Sequence, residues 1–294
     1  MATIIDGKKI SSDIRDQIKT DVTKIKEDYG KVPGLAVIII GEDPASQVYV
    51  NNKIKACADT GIKSLHYTFP SDYSQDKLLS LIDQLNDNNE VNGILVQLPL
   101  PGHINESAVI NRISPLKDVD GFHPVNTGKL TIGDDDCFYP CTPYGIQELI
   151  VRHVDEIKGK HLVVVGRSNI VGKPIANMMV QKNSRANCIV TICHTAAPDI
   201  SFYTKQADIL VVSAGRPGTV TADMVKEGAV VIDVGVNRIQ DPANPGKTIL
   251  KGDVDFDEVS KVASAITPVP GGVGPMTITM LLKNTLKAFL IHNR

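Results

Sequence analysis

The sequence predicts an α/β protein of two domains, the second with a doubly wound parallel sheet, and three observations lead to that fold class. Apolar strand-like segments alternate with helix-like segments through both halves of the chain, which is typical of βαβ units. The length of 294 residues exceeds the roughly 150 residues of one typical domain. Small, polar or glycine-rich residues follow the strands of the second half, where such sheets bind ligands.

The first half opens with a long amphipathic helix, because apolar residues recur every three or four positions from Ile10 to Ile25. The alternation then predicts strands at 35–40, 64–69 and 93–97, with helices at 46–60 and 75–86. Gly61 is expected to end the second helix as a left-handed cap. Residues 99–140 are predicted to be loop-rich, and Thr142 and Pro143 to be the N-cap and first residue of a helix to about residue 154.

The second half repeats the pattern. Strands are predicted at 162–165, 188–193, 209–213, 230–234 and 263–267, with helices between most of them. Pro275 is expected to open a terminal helix whose apolar face includes Leu281, Leu282 and Phe289. We expect that helix to pack back on the first domain.

Composition excludes several functional classes. The chain is 42% hydrophobic and 22% charged with a net charge of −2, which argues against nucleic acid or an anionic membrane as the main partner. The longest apolar run, 35–40, is too short to span a bilayer, and the N-terminus lacks the apolar core of a signal peptide. An odd number of cysteines, five, is typical of reduced thiols in a cytoplasm.

A metal site is not predicted. Cys137, Cys141 and His123 are three candidate ligands, but they lack a paired Cys-x-x-Cys spacing. Cys188 and Cys193 lie in an apolar strand and are expected to be core residues.

The strand at 162–165 leads into a glycine loop that is typical of a nucleotide site. A dinucleotide fingerprint has glycine at its first, third and sixth positions, whereas this chain has Gly166, Ser168 and Val171, with the last glycine displaced to Gly172. The Ser168 side chain prevents the closest approach of a pyrophosphate, so the loop must be wider. Packing alone explains many such loops, but Arg167 adds a permanent cation suited to an extra phosphate.

Several polar residues are candidates for chemistry, each with a plain alternative. Tyr49 and Lys53 share one face of the helix at 46–60, where a surface tyrosine could simply cover a snorkelling lysine. Gln97 ends a buried strand and could satisfy loop backbone. Asp118 and Asp120 lie in an irregular segment, where aspartate usually stabilises turns.

Residues 267–277 contain three prolines and three glycines, which predict a rigid wall for a flat ligand. With this segment, five stretches in order resemble the bifunctional methylenetetrahydrofolate dehydrogenase/methenyltetrahydrofolate cyclohydrolase family, and together they cover essentially the whole chain. They are YVNNK (49–53), VQLPLP (96–101), KDVDGF (117–122), GRSNIVGKP (166–174) and PVPGGVGP (268–275).

The resemblance implies a fold and an activity. An N-terminal α/β folate domain (1–140 plus 275–294) would face a Rossmann-type NADP domain (141–274) across a cleft, in a homodimer formed through the Rossmann half. The enzyme would oxidise methylene-tetrahydrofolate with NADP⁺ and hydrolyse the methenyl cation to 10-formyl-tetrahydrofolate. At this length, the formyl-tetrahydrofolate ligase domain of larger family members is not expected.

The resemblance also implies residue roles. Lys53 would be the catalytic lysine, Gln97 would tune it by a hydrogen bond, Asp120 would hold the donor edge of the pterin and Tyr49 would stack on the folate. The other folate residues would be Val96, Leu98, Pro270, Gly271, Gly272, Val273 and Gly274, and the cofactor residues Gly166, Arg167, Ser168, Thr195 and Val236. A desolvated, neutral lysine suits this reaction, because a charged ammonium would repel the methenyl cation.

The cofactor preference is predicted from the end of the strand at 188–193, the second strand of the Rossmann-type half. NAD sites usually have a carboxylate there, whereas this strand ends in His194-Thr195. We therefore predict a moderate preference for NADP⁺, since Ala196 and Ala197 replace a second basic residue found in the family. The missing carboxylate argues against an NAD-linked dehydrogenase of amino or hydroxy acids, and the presence of Lys53 and Gln97 against a non-catalytic binding protein.

Overall fold

The computed structural model describes residues 1–241, 244 and 246–293, and within this part the chain forms two compact units. The six-stranded unit comprises residues 1–11 and 142–277, and the three-stranded unit residues 12–141 and 278–294. In each of these two sheets the strands are parallel and most are connected by helices, so the predicted α/β fold class is confirmed.

The three-stranded unit follows the sequence prediction closely. Its sheet has the order β3-β2-β4 and consists of β2 (Gly34–Ile40), β3 (Lys63–Phe69) and β4 (Gly93–Val96). Its helices are most of α1 (Gly7–Tyr29), α2 (Pro44–Thr60), α3 (Gln75–Asp87), α4 (Glu106–Arg112), α5 (Pro124–Ile132) and the end of α10 (Val273–His292). Every residue of β2 is buried, as a central parallel strand requires. Gly61 caps α2 in the left-handed conformation at φ 80°, as predicted.

Helices α4 and α5 lie in the segment that was predicted to be loop-rich. They span only seven and nine residues, so their apolar periodicity is too short to detect. Side chains mark their beginnings instead. Asn105 accepts a hydrogen bond from the Ala108 N–H at 3.0 Å, and His123 Nδ1 accepts one from the Val125 N–H at 3.1 Å.

The six-stranded unit has the sheet order β1-β11-β8-β7-β5-β6. Its strands are β1 (Thr3–Ile4), β5 (His161–Val165), β6 (Ile189–Cys193), β7 (Ile209–Val212), β8 (Val230–Asp233) and β11 (Ala265–Ile266). From β5 the chain proceeds to β6 on one side, and β7 then pairs with the other side of β5. This reversal is a topological switch point, where doubly wound sheets bind ligands beyond the carboxyl ends of the strands.

The helices of this unit are α6 (Cys141–Val151), α7 (Gly172–Met179), α8 (Ser201–Thr204) and α9 (Phe256–Val262). Helix α6 begins before Thr142, so the predicted N-cap is wrong by at least one residue. The Thr142 hydroxyl instead lies 3.0 Å from that of Thr277. The predicted core positions of Cys188 and Cys193 are confirmed, since both are buried.

Three strands lacked a sequence signal. β1 has two residues and pairs with β11, so residues 1–11 cluster with the six-stranded unit rather than with the first domain as predicted. β9 (Asn237–Gln240) and β10 (Thr248–Lys251) form an antiparallel hairpin. Among the described residues, no helix is both long and apolar enough to cross a membrane.

Candidate active site and cofactor site

Lys53 lies on α2 with its side chain buried to 9% exposure. Val50 and Cys57, on the neighbouring stripe of the helix, belong to the core and hold this face inward. Tyr49, one turn before Lys53, is 43% exposed. The helix therefore presents an exposed aromatic ring next to a buried amine, which excludes a lysine snorkelling into solvent.

Gln97 is the polar partner of that amine. Lys53 Nζ donates a hydrogen bond to Gln97 Oε1 at 2.9 Å, and Gln97 Nε2 donates to the Leu98 carbonyl oxygen at 2.6 Å. The second bond fixes which end of the amide faces the lysine. Val96, the last residue of β4, is buried, and it places Gln97 at the carboxyl edge of the sheet.

Burial is the main influence on the charge of Lys53, and it lowers the pKa of the amine below its ordinary value. The carboxylate of Asp120 acts against burial and raises that pKa. Burial likewise raises the pKa of Asp120, while Lys53 and a hydrogen bond from the Cys141 thiol lower it. The pKa of Cys141 is raised, chiefly by burial, so the group is a thiol that can donate. Sequence reasoning missed Cys141 as part of this cluster.

Asp118, two residues before Asp120, has a structural role. Its Oδ2 accepts hydrogen bonds from the His123 N–H and from Asn126 Nδ2, both at 2.8 Å, and its Oδ1 accepts one from the Phe122 N–H at 3.2 Å. These bonds organise the turn into α5. Gly121 completes the turn at φ 77°, where a Cβ would collide with the backbone of residues 138–140.

Asn284, on the terminal helix α10, fastens the two segments that bear Asp120 and Cys141. Its Nδ2 donates to the carbonyl oxygens of Val119 at 2.8 Å and Tyr139 at 2.9 Å. The Val119 carbonyl oxygen, 3.3 Å from Cys141 Sγ, is the alternative acceptor of the one thiol proton that can bond Asp120. The expected return of the terminal helix to the first domain is thus observed as specific hydrogen bonds, which the sequence pattern did not reveal.

In the six-stranded unit, two glycines of the loop after β5 make close backbone contacts. Gly166 has φ 130°, and a Cβ there would collide with Ser213. A Cβ on Gly172 would collide with the Gly166 carbonyl, so both glycines are required by close backbone approach.

The Ser168 hydroxyl accepts hydrogen bonds from the N–H groups of Val171 at 3.1 Å and Gly172 at 3.2 Å, at the start of α7. Those N–H groups are the ones that would bind a pyrophosphate in the usual fingerprint. Ser168 occupies them, and in the described part of the chain no group accepts its own O–H. Arg167 is exposed, and no described residue forms a hydrogen bond or ion pair with its side chain.

Two further residues predicted to bind the cofactor lie after neighbouring strands and are accessible. Thr195 is exposed after β6, and Val236 is 50% exposed after β8. Asp199, the next carboxylate after β6, accepts a hydrogen bond from the Ser201 N–H at 2.8 Å near the start of α8. No carboxylate therefore follows β6 directly.

Residues 270–274 pack against the N-terminal residues of the same unit. Gly271, at φ 111°, accepts a hydrogen bond from the Lys8 N–H at 3.1 Å, and Gly7 lies so close to Gly271 and Gly272 that a Cβ would overlap their carbonyls. Pro270 and Gly274 are exposed and Val273 is buried. This is a wall of backbone, as the composition predicted.

Within the described part of the chain, no three histidine, cysteine or acidic side chains are placed to hold a metal ion. The three residues considered from sequence have other partners. His123 caps α5, the Cys141 thiol has Asp120 and the Val119 carbonyl oxygen as its acceptors, and Cys137 Sγ donates to the Asp134 carbonyl oxygen at 3.2 Å.

A doubly wound sheet with a glycine loop in one unit, together with a buried lysine in the other, is typical of a nucleotide-dependent α/β enzyme. Two family models give the particular family. Residues 5–120 match the catalytic domain of tetrahydrofolate dehydrogenase/cyclohydrolase, and residues 140–293 match its NAD(P)-binding domain. The chain belongs to this family, and it is a bifunctional enzyme, both oxidoreductase and hydrolase.

The chain is similar to known members of this family over nearly its full length. The bifunctional protein FolD of Chlorobium phaeovibrioides is 61% identical over 97% of both chains. The crystal structure of FolD from Campylobacter jejuni is 47% identical, with a TM-score of 0.92 over 99% of each chain. FolD of Trypanosoma brucei, solved with NADP and an inhibitor, is 40% identical with a TM-score of 0.93, over 100% of this chain and 99% of that one.

Proposed function

We propose that this enzyme oxidises methylene-tetrahydrofolate with NADP⁺ and hydrolyses the methenyl product to 10-formyl-tetrahydrofolate, with Lys53 as the proton acceptor. The observation that carries the proposal is the buried Lys53 amine, held 2.9 Å from Gln97 Oε1. Burial lowers its pKa and so favours the neutral amine that a cationic substrate requires.

Hydrolysis then follows from the geometry of Lys53. The neutral amine uses one N–H to bond Gln97, and this contact directs its lone pair away from the amide. A water that attacks the methenyl carbon loses a proton to Nζ and leaves a hydroxyl on that carbon. The ammonium returns the proton to the folate nitrogen as the carbon–nitrogen bond breaks, and the hydroxyl proton passes to solvent as the carbon–oxygen double bond of the formyl group forms. Lysine suits both steps because its pKa shifts on burial, whereas arginine would remain charged.

Asp120 has two roles in this proposal: it binds the substrate, and it influences the charge of Lys53. An ionised carboxylate accepts paired hydrogen bonds from the adjacent N–H groups of a pterin. Burial raises the pKa of Asp120, whereas the hydrogen bond from Cys141 lowers it, so this bond favours the ionised carboxylate beside a neutral Lys53. Tyr49, exposed one turn from Lys53, provides a ring for stacking on the folate.

The strand ends of the six-stranded unit fit NADP. Among the described residues, none accepts the Ser168 O–H or pairs with the Arg167 guanidinium, so both groups are available to phosphate. No carboxylate directly after β6 repels a 2′-phosphate, and Gly166 allows the close backbone contacts that shape the loop. Thr195 and Val236 complete the proposed cofactor residues, and the relative from Trypanosoma brucei was solved with NADP. NADP⁺, when bound, accepts a hydride from the substrate.

We assign residues 270–274 to folate, near the nicotinamide, because this wall of backbone admits a flat ligand. The family resemblance also assigns Val96, Gln97 and Leu98 to folate binding. The three-stranded unit is accordingly the folate domain and the six-stranded unit the NADP domain.

The sheet edge at β6 supports a homodimer. β6 pairs only with β5 among the described residues, while Ile189 is 63% and Ile192 is 42% exposed. An edge strand with exposed apolar side chains is suited to pairing with a second copy. Ile192→Lys should lower the mass measured by sedimentation, and an unchanged mass would contradict this interface. The buried free thiols of all five cysteines are consistent with the reducing cytoplasm as its location.

An absorbance assay tests the main proposal. Methylene-tetrahydrofolate is supplied with NADP⁺ or NAD⁺ to follow the oxidation, and the methenyl compound is supplied alone to follow hydrolysis. We expect turnover in both assays and faster oxidation with NADP⁺. Absence of either activity in the folded protein would contradict the bifunctional assignment.

A further inference from the structure

Two buried aspartates lie at the carboxyl side of the six-stranded sheet, and the roles proposed above do not use them. Asp233 is the last residue of β8 and 3% exposed, and Asp253, between β10 and α9, is 0% exposed. Among the described residues, neither carboxylate has a cation within ion-pair distance. A buried carboxylate without a cation is costly unless hydrogen bonds compensate it.

Asp253 joins two loops through such bonds. Its Oδ2 accepts from the Gly215 N–H at 2.8 Å, and its Oδ1 accepts from the Arg216 N–H at 2.9 Å. Oδ1 also accepts from Asn237 Nδ2 at 2.8 Å. The loop after β7 and the segment after β8 are therefore fixed to one side chain.

Asp233 in turn holds the backbone that presents Asp253. Its Oδ1 accepts from the N–H groups of Gly235 and Asp253, both at 2.9 Å, and its Oδ2 accepts from the Val254 N–H at 3.0 Å. Two glycines make room for the pair. A Cβ on Gly235 would overlap the Asp253 carboxylate, and a Cβ on Gly252 would overlap that of Asp233.

The loop that Asp253 holds borders the cofactor loop. Ser213, two residues before Gly215, donates from its N–H to the Val165 carbonyl at 2.8 Å and packs so closely on Gly166 that no Cβ fits between them. β5 and β7 are neighbours at the switch point of the sheet. A shift of residues 213–216 would therefore displace Gly166 and the adjoining Arg167.

We infer that Asp253 is a positioning residue for dinucleotide binding, which holds the loops after β7 and β8 in the shape that receives NADP. The inference rests on the proposed placement of the cofactor at these strand ends. A carboxylate is required because two backbone N–H groups and one amide converge on it. An asparagine would turn its own N–H groups toward one of these donors.

Calorimetric titration with NADP⁺ tests this role in the variant Asp253→Asn. Loss of charge-assisted bonds should weaken binding by about tenfold or more. Hydrolysis of the methenyl compound consumes no hydride acceptor, so its KM should stay at the wild-type value. The matched control is Asp208→Asn. Asp208 also accepts a backbone hydrogen bond, from the His161 N–H at 2.9 Å, but it lies at the amino ends of the strands of the same sheet. We expect wild-type NADP⁺ affinity in this control.

A folded Asp253→Asn protein with wild-type affinity would overturn the inference, as would equal weakening in Asp208→Asn. Should Asp253→Asn fail to fold, Asn237→Ala removes only one bond to the carboxylate and should weaken NADP⁺ binding less. Unchanged affinity there would also overturn it. Arg167→Ala separates the two proposals. If only Arg167→Ala weakens NADP⁺ binding, the proposed cofactor site is supported and the role of Asp253 is contradicted. If neither Arg167→Ala nor Asp253→Asn weakens it, the proposed cofactor site itself is contradicted.

Discussion

Lys53 Nζ lies 2.9 Å from Gln97 Oε1, and this bond joins helix α2 to the end of strand β4 across 44 residues of sequence. It is a contact between a buried amine and an amide whose other end is fixed on Leu98. An amide oxygen can orient an amine without adding a full charge beside it. The bond therefore stabilises the position of Lys53 while burial lowers the pKa of the amine.

The first prediction concerns Lys53→Met, which retains the length of the side chain and removes the base. General-base catalysis typically contributes about 10²–10⁴-fold, so hydrolysis of the methenyl compound should fall by at least that order. NADP⁺ affinity should be nearly unchanged. Lys55→Met is the matched control, because Lys55 is exposed on the same helix. Near-normal hydrolysis by folded Lys53→Met would contradict the assignment.

Stability should change in the opposite direction from activity. A buried lysine with a lowered pKa binds its proton less readily in the folded chain than in the unfolded chain. Its contribution to the free energy of unfolding therefore decreases as the pH falls from above 10 to the lowered pKa of the folded state. At neutral pH, Lys53→Met removes this cost. Its thermal midpoint should equal or exceed that of the wild type.

The sequence could predict the parts of this site that depend on local periodicity. Tyr49 and Lys53 share a helix face because of their spacing, and Gln97 follows a buried strand. The sequence could not predict Cys141 beside Asp120, or Asn284 bonded to Val119, because these contacts depend on how distant backbone segments pack.

Two further features could not be predicted from the sequence. The two residues of β1 are too few for a period, and the pairing of β1 with β11 places the N-terminus in the six-stranded unit. At the cofactor loop, the Ser168 side chain in place of a glycine predicted a wider loop. It did not reveal that Ser168 accepts the N–H groups of Val171 and Gly172.

The second prediction concerns Asp120. Asp120→Ala removes the proposed acceptor of the pterin N–H groups, so folate affinity should fall by about tenfold or more while NADP⁺ affinity stays near wild type. Titration of each ligand measures this difference. An equal fall in NADP⁺ affinity would show that Asp120 is a structural residue of the loop.

Asp120→Asn should also move the pH profile of hydrolysis. The carboxylate raises the pKa of Lys53, so its removal lowers that pKa further. More of the amine is then neutral at a given pH. The rise of kcat with pH, measured at saturating methenyl compound, should begin at lower pH than in the wild type, and a shift to higher pH would contradict the proposed pairing.

The third prediction concerns cofactor choice. Arg167→Ala removes the guanidinium proposed for the 2′-phosphate, so the KM for NADP⁺ should rise by about tenfold while that for NAD⁺ changes little. Lys173→Ala is the control cation, because Lys173 Nζ is already bonded to Asn169 Oδ1 at 2.7 Å. Equal turnover of NAD⁺ and NADP⁺ at low concentration by the wild type would contradict this role of Arg167.

The last prediction concerns Asp118, whose burial raises its pKa to about 7, against the opposing effect of hydrogen bonds from Asn126 and the His123 N–H. In the unfolded chain the pKa of an aspartate is about 3.9. Between these values the folded protein retains a proton that the unfolded chain releases, so this group's contribution to stability falls as the pH rises from about 4 to about 7. Each unit of pKa difference corresponds to about 1.4 kcal/mol.

Asp118→Asn should remove this dependence and keep most of the structure. The asparagine oxygen can accept the bonds from the His123 N–H and Asn126, so only the 3.2 Å bond from the Phe122 N–H is lost. Urea unfolding of both proteins at several pH values measures the effect. The free energy of unfolding of the variant, relative to the wild type, should increase between pH 4 and pH 7 and then level off. A constant difference across that range would mean that Asp118 titrates alike in the folded and unfolded chain.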